Sequence, residues 1–183
     1  MQKAVLRKIY KKKRQELSLE TIEKLQESIY QQVFEYDFSA VNVIHVFLPI
    51  EKQKEINTYP IIHFLRKKGK QIIISKSNFS NNTLQHFIFE TNTKLILNTY
   101  GIPEPIEAKE INVKEIDLVF VPLLISDQQN YRVGYGKGFY DRFLSECKAS
   151  VETIGLNFFP PISKIDDCNQ YDIALSTVKY PKN

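Results

Sequence analysis

Apolar residues return at intervals of three and four over the opening of the chain: Val5, Leu6, Ile9 and Tyr10, then Ile22, Leu25, Ile29, Val33 and Phe34. This spacing predicts two amphipathic helices between Lys3 and about Phe38. Ser18, followed by Glu20 and Thr21, marks the second start, because a serine oxygen satisfies free N–H groups and an acid suits the first turn. The pattern then changes to a β-rich, mainly apolar run from Val41 to Leu48, a core strand ended by Pro49. Ile61, Ile62, Phe64 and Leu65 predict a helix, closed by Lys67, Lys68 and Gly69. Ile72 to Ile74 is a second strand, Asn78 to Thr83 a polar turn, and Leu84 to Phe89 a strand with one wet face. Tyr100 to Pro105 predicts a rigid loop with φ set at both prolines. Ile116 to Leu124 is the most strongly apolar strand, and Val151 to Leu156 and Ile173 to Val178 supply closing ones.

Strands alternating with helices predict an α/β protein, a mostly parallel sheet flanked by helices in a Rossmann-like open α/β sandwich. No repeat or linker interrupts it, so residues 1–183 are expected to form a single domain. The composition changes this picture little. At 183 residues, 43% hydrophobic and 25% charged, the chain is ordinary globular protein and not a disordered one. Its net charge of +4 suits an anionic ligand but falls short of a nucleic-acid-binding signature. Cys147 and Cys168 form no C-x-x-C pair and read as free thiols. With no window long enough to cross a bilayer and no signal-like apolar opening, the expectation is a cytoplasmic monomer with no membrane partner. The cations from Lys3 to Arg14, with no acid before Glu16, read mostly as a solvated face. His45, His63 and His86 stand apart in sequence and read as structural.

The stretch from Asn130 to Leu144 carries the chemistry. Gly134, Gly136 and Gly138 alternate, which allows positive φ and lets an anion approach backbone N–H groups. Lys137 sits among them, and Phe139, Tyr140, Phe143 and Leu144 then mark one face of a helix. A phosphate there meets N–H groups, a helix N-terminus and a lysine together. Asp141 falls in the first helical turn, as a dipole partner or within reach of a nucleotide's Mg²⁺. A plain glycine-rich loop remains the other reading. Neither a Walker A loop nor a dinucleotide turn is present, because Gly138 follows Lys137 and the glycine spacing differs.

The run from Arg132 to Arg142 resembles the R-L-G-x-G-x-G-Y-Y-D-R signature of the 5-formyltetrahydrofolate cyclo-ligase family, with Val133 and Phe139 as conservative changes. Lys3 and Arg7, Phe47 to Pro49, Glu55 and Thr58, Gly101 to Pro105, Asp117 to Pro122 and Ile154 to Leu156 fall in that family's order. The resemblance implies ATP- and Mg²⁺-dependent closure of 5-formyltetrahydrofolate to 5,10-methenyltetrahydrofolate. It implies catalytic roles for Lys137, Arg132 and Tyr140, and nucleotide contacts from Lys3, Arg7, Arg132 and the residues Gly134, Tyr135, Gly136, Lys137, Gly138, Phe139 and Tyr140. Leu48, Glu55, Thr58, Tyr135 and Phe139 would meet the folate, and Asp141 the metal. Asn130 replaces a usual glycine, which asparagine tolerates in the left-handed region. Ser176 replaces a carboxylate associated with magnesium, leaving Asp172 as a nearby acid. Another ATP-dependent kinase or ligase using the same loop, or a basic nucleic-acid-binding arm, are the rival readings.

Overall fold

The computed structural model describes residues 1–182. Helix α1 (Lys3–Glu16) buries Leu6, Tyr10 and Arg14, a stripe at intervals of four. Ser18 caps α2 (Leu19–Phe34) by accepting from the Thr21 N–H at 3.1 Å, as its sequence predicts. Strand β1 (Val43–His45) is shorter than the apolar run around it, although Val46 N–H still reaches Ile73 O at 2.8 Å. Helix α3 (Tyr59–Lys67) starts with Pro60 in its first turn and stops at Gly69, φ 73°. Strands β2 (Gln71–Asn78) and β3 (Thr83–Ile88) form an antiparallel hairpin.

The segment expected to be a rigid loop at Tyr100 to Pro105 is corrected. Its second half is strand β5 (Pro103–Ile106), paired antiparallel with β4 (Lys94–Leu97) as a separate two-stranded sheet. A two-stranded ladder tolerates prolines because one edge of each strand needs no N–H donor. The chain continues through β6 (Leu118–Pro122), the short pair β7 (Ile125–Ser126) and β8 (Arg132–Val133), α4 (Phe139–Glu146) and β9 (Glu152–Leu156). The last strand, β10 (Thr177–Lys179), lies later than the expected Ile173 to Val178. Ile173 instead faces Arg132 and Asp141.

The main sheet has the order β10-β9-β6-β1-β2-β3, parallel except at the β3 edge. Apolar residues point to both faces, as a covered parallel sheet requires. Ile72, Ile74, Leu118 and Phe120 pack with the Ile29, Val33, Ile61 and Leu65 side chains of α2 and α3. Ile73, Val119 and Val121 pack with Phe143 and Leu144 of α4. A third cluster joins Leu6 and Tyr10 of α1 to Leu124, Ile125 and Val133. That cluster holds the start of α1 against the β7–β8 pair, and so against the glycine stretch. Among the described residues, no helix is long and apolar enough to cross a membrane, and both cysteines are unpaired.

Candidate active site

A cavity of about 560 Å³ opens where β1 and β6 end, with Phe47, Leu48 and Pro122 in its wall. The glycine stretch closes one side. Lys3, Arg7, Lys11, Arg132 and Lys137 line it against the carboxylates of Glu55, Asp141 and Asp172, so cations outnumber acids. Phe79, Leu84, Tyr100 and Ile102 add an apolar or neutral part to the lining. Phe79 stacks on Tyr100 at 4.2 Å and meets the edge of Phe139 at 5.3 Å, linking hairpin, turn and glycine stretch.

The bend itself is built from two kinds of glycine. Gly136 (φ 94°) lies under the Arg7 guanidinium, and a Cβ there would stand 2.9 Å from Arg7 Cζ. Gly138 (φ 72°) precedes α4, where the Lys137 carbonyl accepts from Arg142 Nη1 at 2.8 Å. Gly134 is different, since it is not left-handed and a Cβ on it would enter open space. The expectation of positive φ therefore holds at Gly136 and Gly138 and is corrected at Gly134. Gly136→Ala is expected to lower the unfolding free energy by about 1–2 kcal/mol, the cost of a left-handed alanine, while Gly134→Ala leaves the denaturant midpoint unmoved. Asn130 adopts φ 63°, in keeping with the asparagine substitution noted in sequence.

The cations are held individually. Arg7 Nε donates to Gly134 O at 2.9 Å, and Lys3 Nζ meets Asp172 Oδ2 at 2.5 Å. Lys137 is exposed and has no ion pair among the described residues. Arg132 is more committed than a free phosphate clamp: Nη1 donates to Ile173 O at 2.6 Å and Nη2 to Asp141 Oδ1 at 2.8 Å. Its two terminal nitrogens thus secure the floor under the bend. Tyr140 borders the cavity beside His45, and burial raises its phenol pKa.

Glu55 is only 8% exposed. Its Oε2 accepts from Ile50 N–H at 2.8 Å and its Oε1 from the Tyr135 hydroxyl at 2.8 Å. Burial pushes the carboxyl up, against the opposing pull of the Ile50 N–H, Arg14 and the Tyr135 hydroxyl. Arg14 donates to the Tyr135 hydroxyl. Reading Arg14 as part of a solvated basic run is therefore corrected: it is 5% exposed. The missed signal was its place four residues after Tyr10 and eight after Leu6. Lys8, Lys12 and Lys13 are exposed, as expected of such a run.

Two assignments move. Thr58 does not line the cavity; it is fully buried and its hydroxyl donates to Phe47 O at 2.5 Å, bracing the wall beside Leu48. Ser176 is also outside, bonded to Thr153 N–H at 3.1 Å next to β9. Leu48, Tyr135 and Phe139 do line the cavity. No group of three potential metal-binding side chains occurs among the described residues. Asp172 Oδ2 takes Lys3 and the Asn169 N–H, and Asp141 Oδ1 takes Arg132 and the Ile173 N–H, so each carboxylate keeps one oxygen without a hydrogen bond from the described residues.

A Schizosaccharomyces pombe protein named "Probable 5-formyltetrahydrofolate cyclo-ligase" is 32% identical over 67% of this chain, which spans 61% of that relative's length. The mouse 5-formyltetrahydrofolate cyclo-ligase is 27% identical over 75% of the chain and 72% of its own. The NMR structure of Aquifex aeolicus 5,10-methenyltetrahydrofolate synthetase superposes with a TM-score of 0.84 and 27% identity, covering 100% of this chain and 91% of that one. The Mycoplasma pneumoniae synthetase, at 20% identity and a TM-score of 0.76 over 100% of both chains, shares the fold. The profile of the 5-formyltetrahydrofolate cyclo-ligase family matches residues 1–172, and the chain belongs to that family.

Proposed function

We propose that this protein is an ATP-dependent cyclo-ligase that converts 5-formyltetrahydrofolate to 5,10-methenyltetrahydrofolate, releasing ADP and phosphate. The observation that carries the reading is one cavity with two unlike kinds of lining. A cationic, glycine-lined part suits a triphosphate, and a neutral, aromatic part suits a reduced pterin. In the reaction the formyl oxygen takes the γ-phosphoryl group as the bond to the β-phosphate breaks. N10 of the folate then attacks the formyl carbon, phosphate leaves with that oxygen, and N10 gives up its proton.

The chain's task is to position and to neutralise charge. Lys137 and the N–H groups from Gly134 to Gly138 hold the transferring phosphates, with Lys3 and Arg7 as further clamps. Arg132 acts from beneath, by fixing Asp141 and the Ile173 carbonyl. Leu48, Phe139 and Tyr135 border the folate, and Tyr140 orients it. Magnesium, when bound, offsets phosphate charge, and it normally rides on the nucleotide with one or two carboxylates. Asp141 fits that modest demand through its second oxygen. The protein is expected to work as a single domain in the cytoplasm. Following methenyltetrahydrofolate absorbance with purified protein, ATP, Mg²⁺ and 5-formyltetrahydrofolate tests the activity; no ATP-dependent rise would overturn it.

Glu55 serves as an ionised acceptor for ring N–H donors of the folate. Activity therefore falls as pH drops through its pKa. Tyr135→Phe removes a hydrogen bond that favours the carboxylate, so the Glu55 pKa rises further above the ordinary carboxylate value. The acid limb of kcat/KM for the folate is expected at higher pH in the variant than in the wild type.

A further inference from the structure

Three polar side chains from neighbouring strands, His45 of β1, Ser75 of β2 and His86 of β3, meet beside the apolar core. His45 Nε2 lies 2.7 Å from Ser75 Oγ, and Ser75 Oγ lies 3.1 Å from His86 Nδ1. They meet because Ser75 is the register partner of His86 and stands two residues beyond Ile73, the partner of His45. The imidazoles are 0% and 4% exposed, and the Phe143 ring packs 4.9 and 4.1 Å from them. His45 Nδ1 and His86 Nε2 have no partner among the described residues. Ser75 is partly exposed, and it lines the cavity together with His45. A buried polar chain with two unpaired nitrogens costs stability, which points to a use beyond packing.

The chain is uncharged. No carboxylate lies within ion-pair distance of either ring among the described residues. Burial lowers the pKa of His45 well below the ordinary histidine value and that of His86 to about 4. Each neutral imidazole offers one N–H and one lone pair. The serine hydroxyl therefore accepts from the cavity while its proton rests on either ring, and donates to the cavity when both rings donate to it. Either way it meets a ligand as a neutral hydrogen-bonding group. A phosphate or a carboxylate is better served by the charges of Lys3, Arg7, Lys11 and Lys137, which line the same cavity.

Resting on the folate reading above, we propose that Ser75 is a specificity-determining contact for the uncharged polar edge of the reduced pterin, with His45 and His86 as positioning residues that orient its hydroxyl. An adenine edge shares this chemistry, so the test measures both substrates. Losing one neutral hydrogen bond is worth about five- to tenfold in affinity. Ser75→Ala is expected to raise the KM for 5-formyltetrahydrofolate by about that factor, with kcat and the KM for ATP within about twofold of wild type. Ser75→Thr, which keeps a hydroxyl, restores the folate KM. His86→Leu, outside the cavity wall, shifts the folate KM in the same direction by less. Isothermal titration of 5-formyltetrahydrofolate into each variant reports the same loss without turnover. An unchanged folate KM in Ser75→Ala, or an equal rise in the KM for ATP, overturns the inference. Absence of wild-type turnover and folate binding would instead defeat the functional reading beneath it.

Discussion

Truncating Lys137 to alanine is expected to lower kcat by about 100- to 1000-fold, the scale of losing one preorganised charge contact to a developing anion. Thermal unfolding should be unchanged. The bend does not depend on this side chain: Arg142 grips the Lys137 carbonyl, and Arg7 grips Gly134, both through main-chain oxygen. With no ion pair of its own among the described residues, Lys137 has its charge available for a ligand. Lysine-to-arginine exchange should rescue only part of the rate, because a planar fork replaces a compact charge. Lys12→Ala provides the control for general positive potential. Lys12 is exposed and 3.8 Å from Glu16, and its loss should change kcat by less than about twofold, as a screened surface charge does. If Lys137→Ala turned over normally, or if Lys12→Ala fell with it, the bend would not be where phosphate charge is met.

Which parts of this site could be read from sequence follows from how far apart its partners lie. The glycine bend, Lys137 and Asp141 fall within one short run, so local pattern located them together. The helices from Lys3 to Phe34 and the strands around Ile72 and Val119 follow from hydrophobic period, which one stripe or two faces impose locally. Sheet order does not follow from period. α3 returns the chain from β1 to a parallel β2 and α4 returns it from β6 to a parallel β9, but β6 enters on the other side of β1 after β3 to β5, and that choice among orders is made by packing. β5 was hidden because Pro103 and Pro105 are residues that strands usually exclude, while its partner β4 is only four residues long and mostly exposed. Arg14, Tyr135 and Glu55 are brought together from three distant segments, and no local spacing records that. The same holds for His45, Ser75 and His86, which are isolated residues until strand register aligns them. Polar residues at buried or half-buried strand positions were the available signal, and two of them, His45 and Ser75, line the cavity.

Replacing Asp141 by alanine should damage the fold as well as the reaction. Its Oδ1 takes Arg132 Nη2 at 2.8 Å and the Ile173 N–H at 3.3 Å, tying the first turn of α4 to β8 and to the segment before β10. The Arg132 side chain is 6% exposed, so removing its partner strands a buried guanidinium. Breaking a fully buried pair costs about 3–5 kcal/mol, and the 30% exposure of the Asp141 side chain reduces this to about 2–3 kcal/mol. For a chain of this size the melting temperature should fall by roughly 5–10 °C. Asp141→Asn keeps an oxygen at the Oδ1 position while removing the charge, so it should retain most of the stability. Its folate-dependent turnover should then require more Mg²⁺ than the wild type does, if the second oxygen serves the nucleotide's metal. Combining Asp141→Ala with Arg132→Met removes both charges, and the pair should be more stable than Asp141→Ala alone. A single Asp141→Ala variant that melts with the wild type would show that the guanidinium is satisfied elsewhere, and the floor beneath the bend would need another anchor.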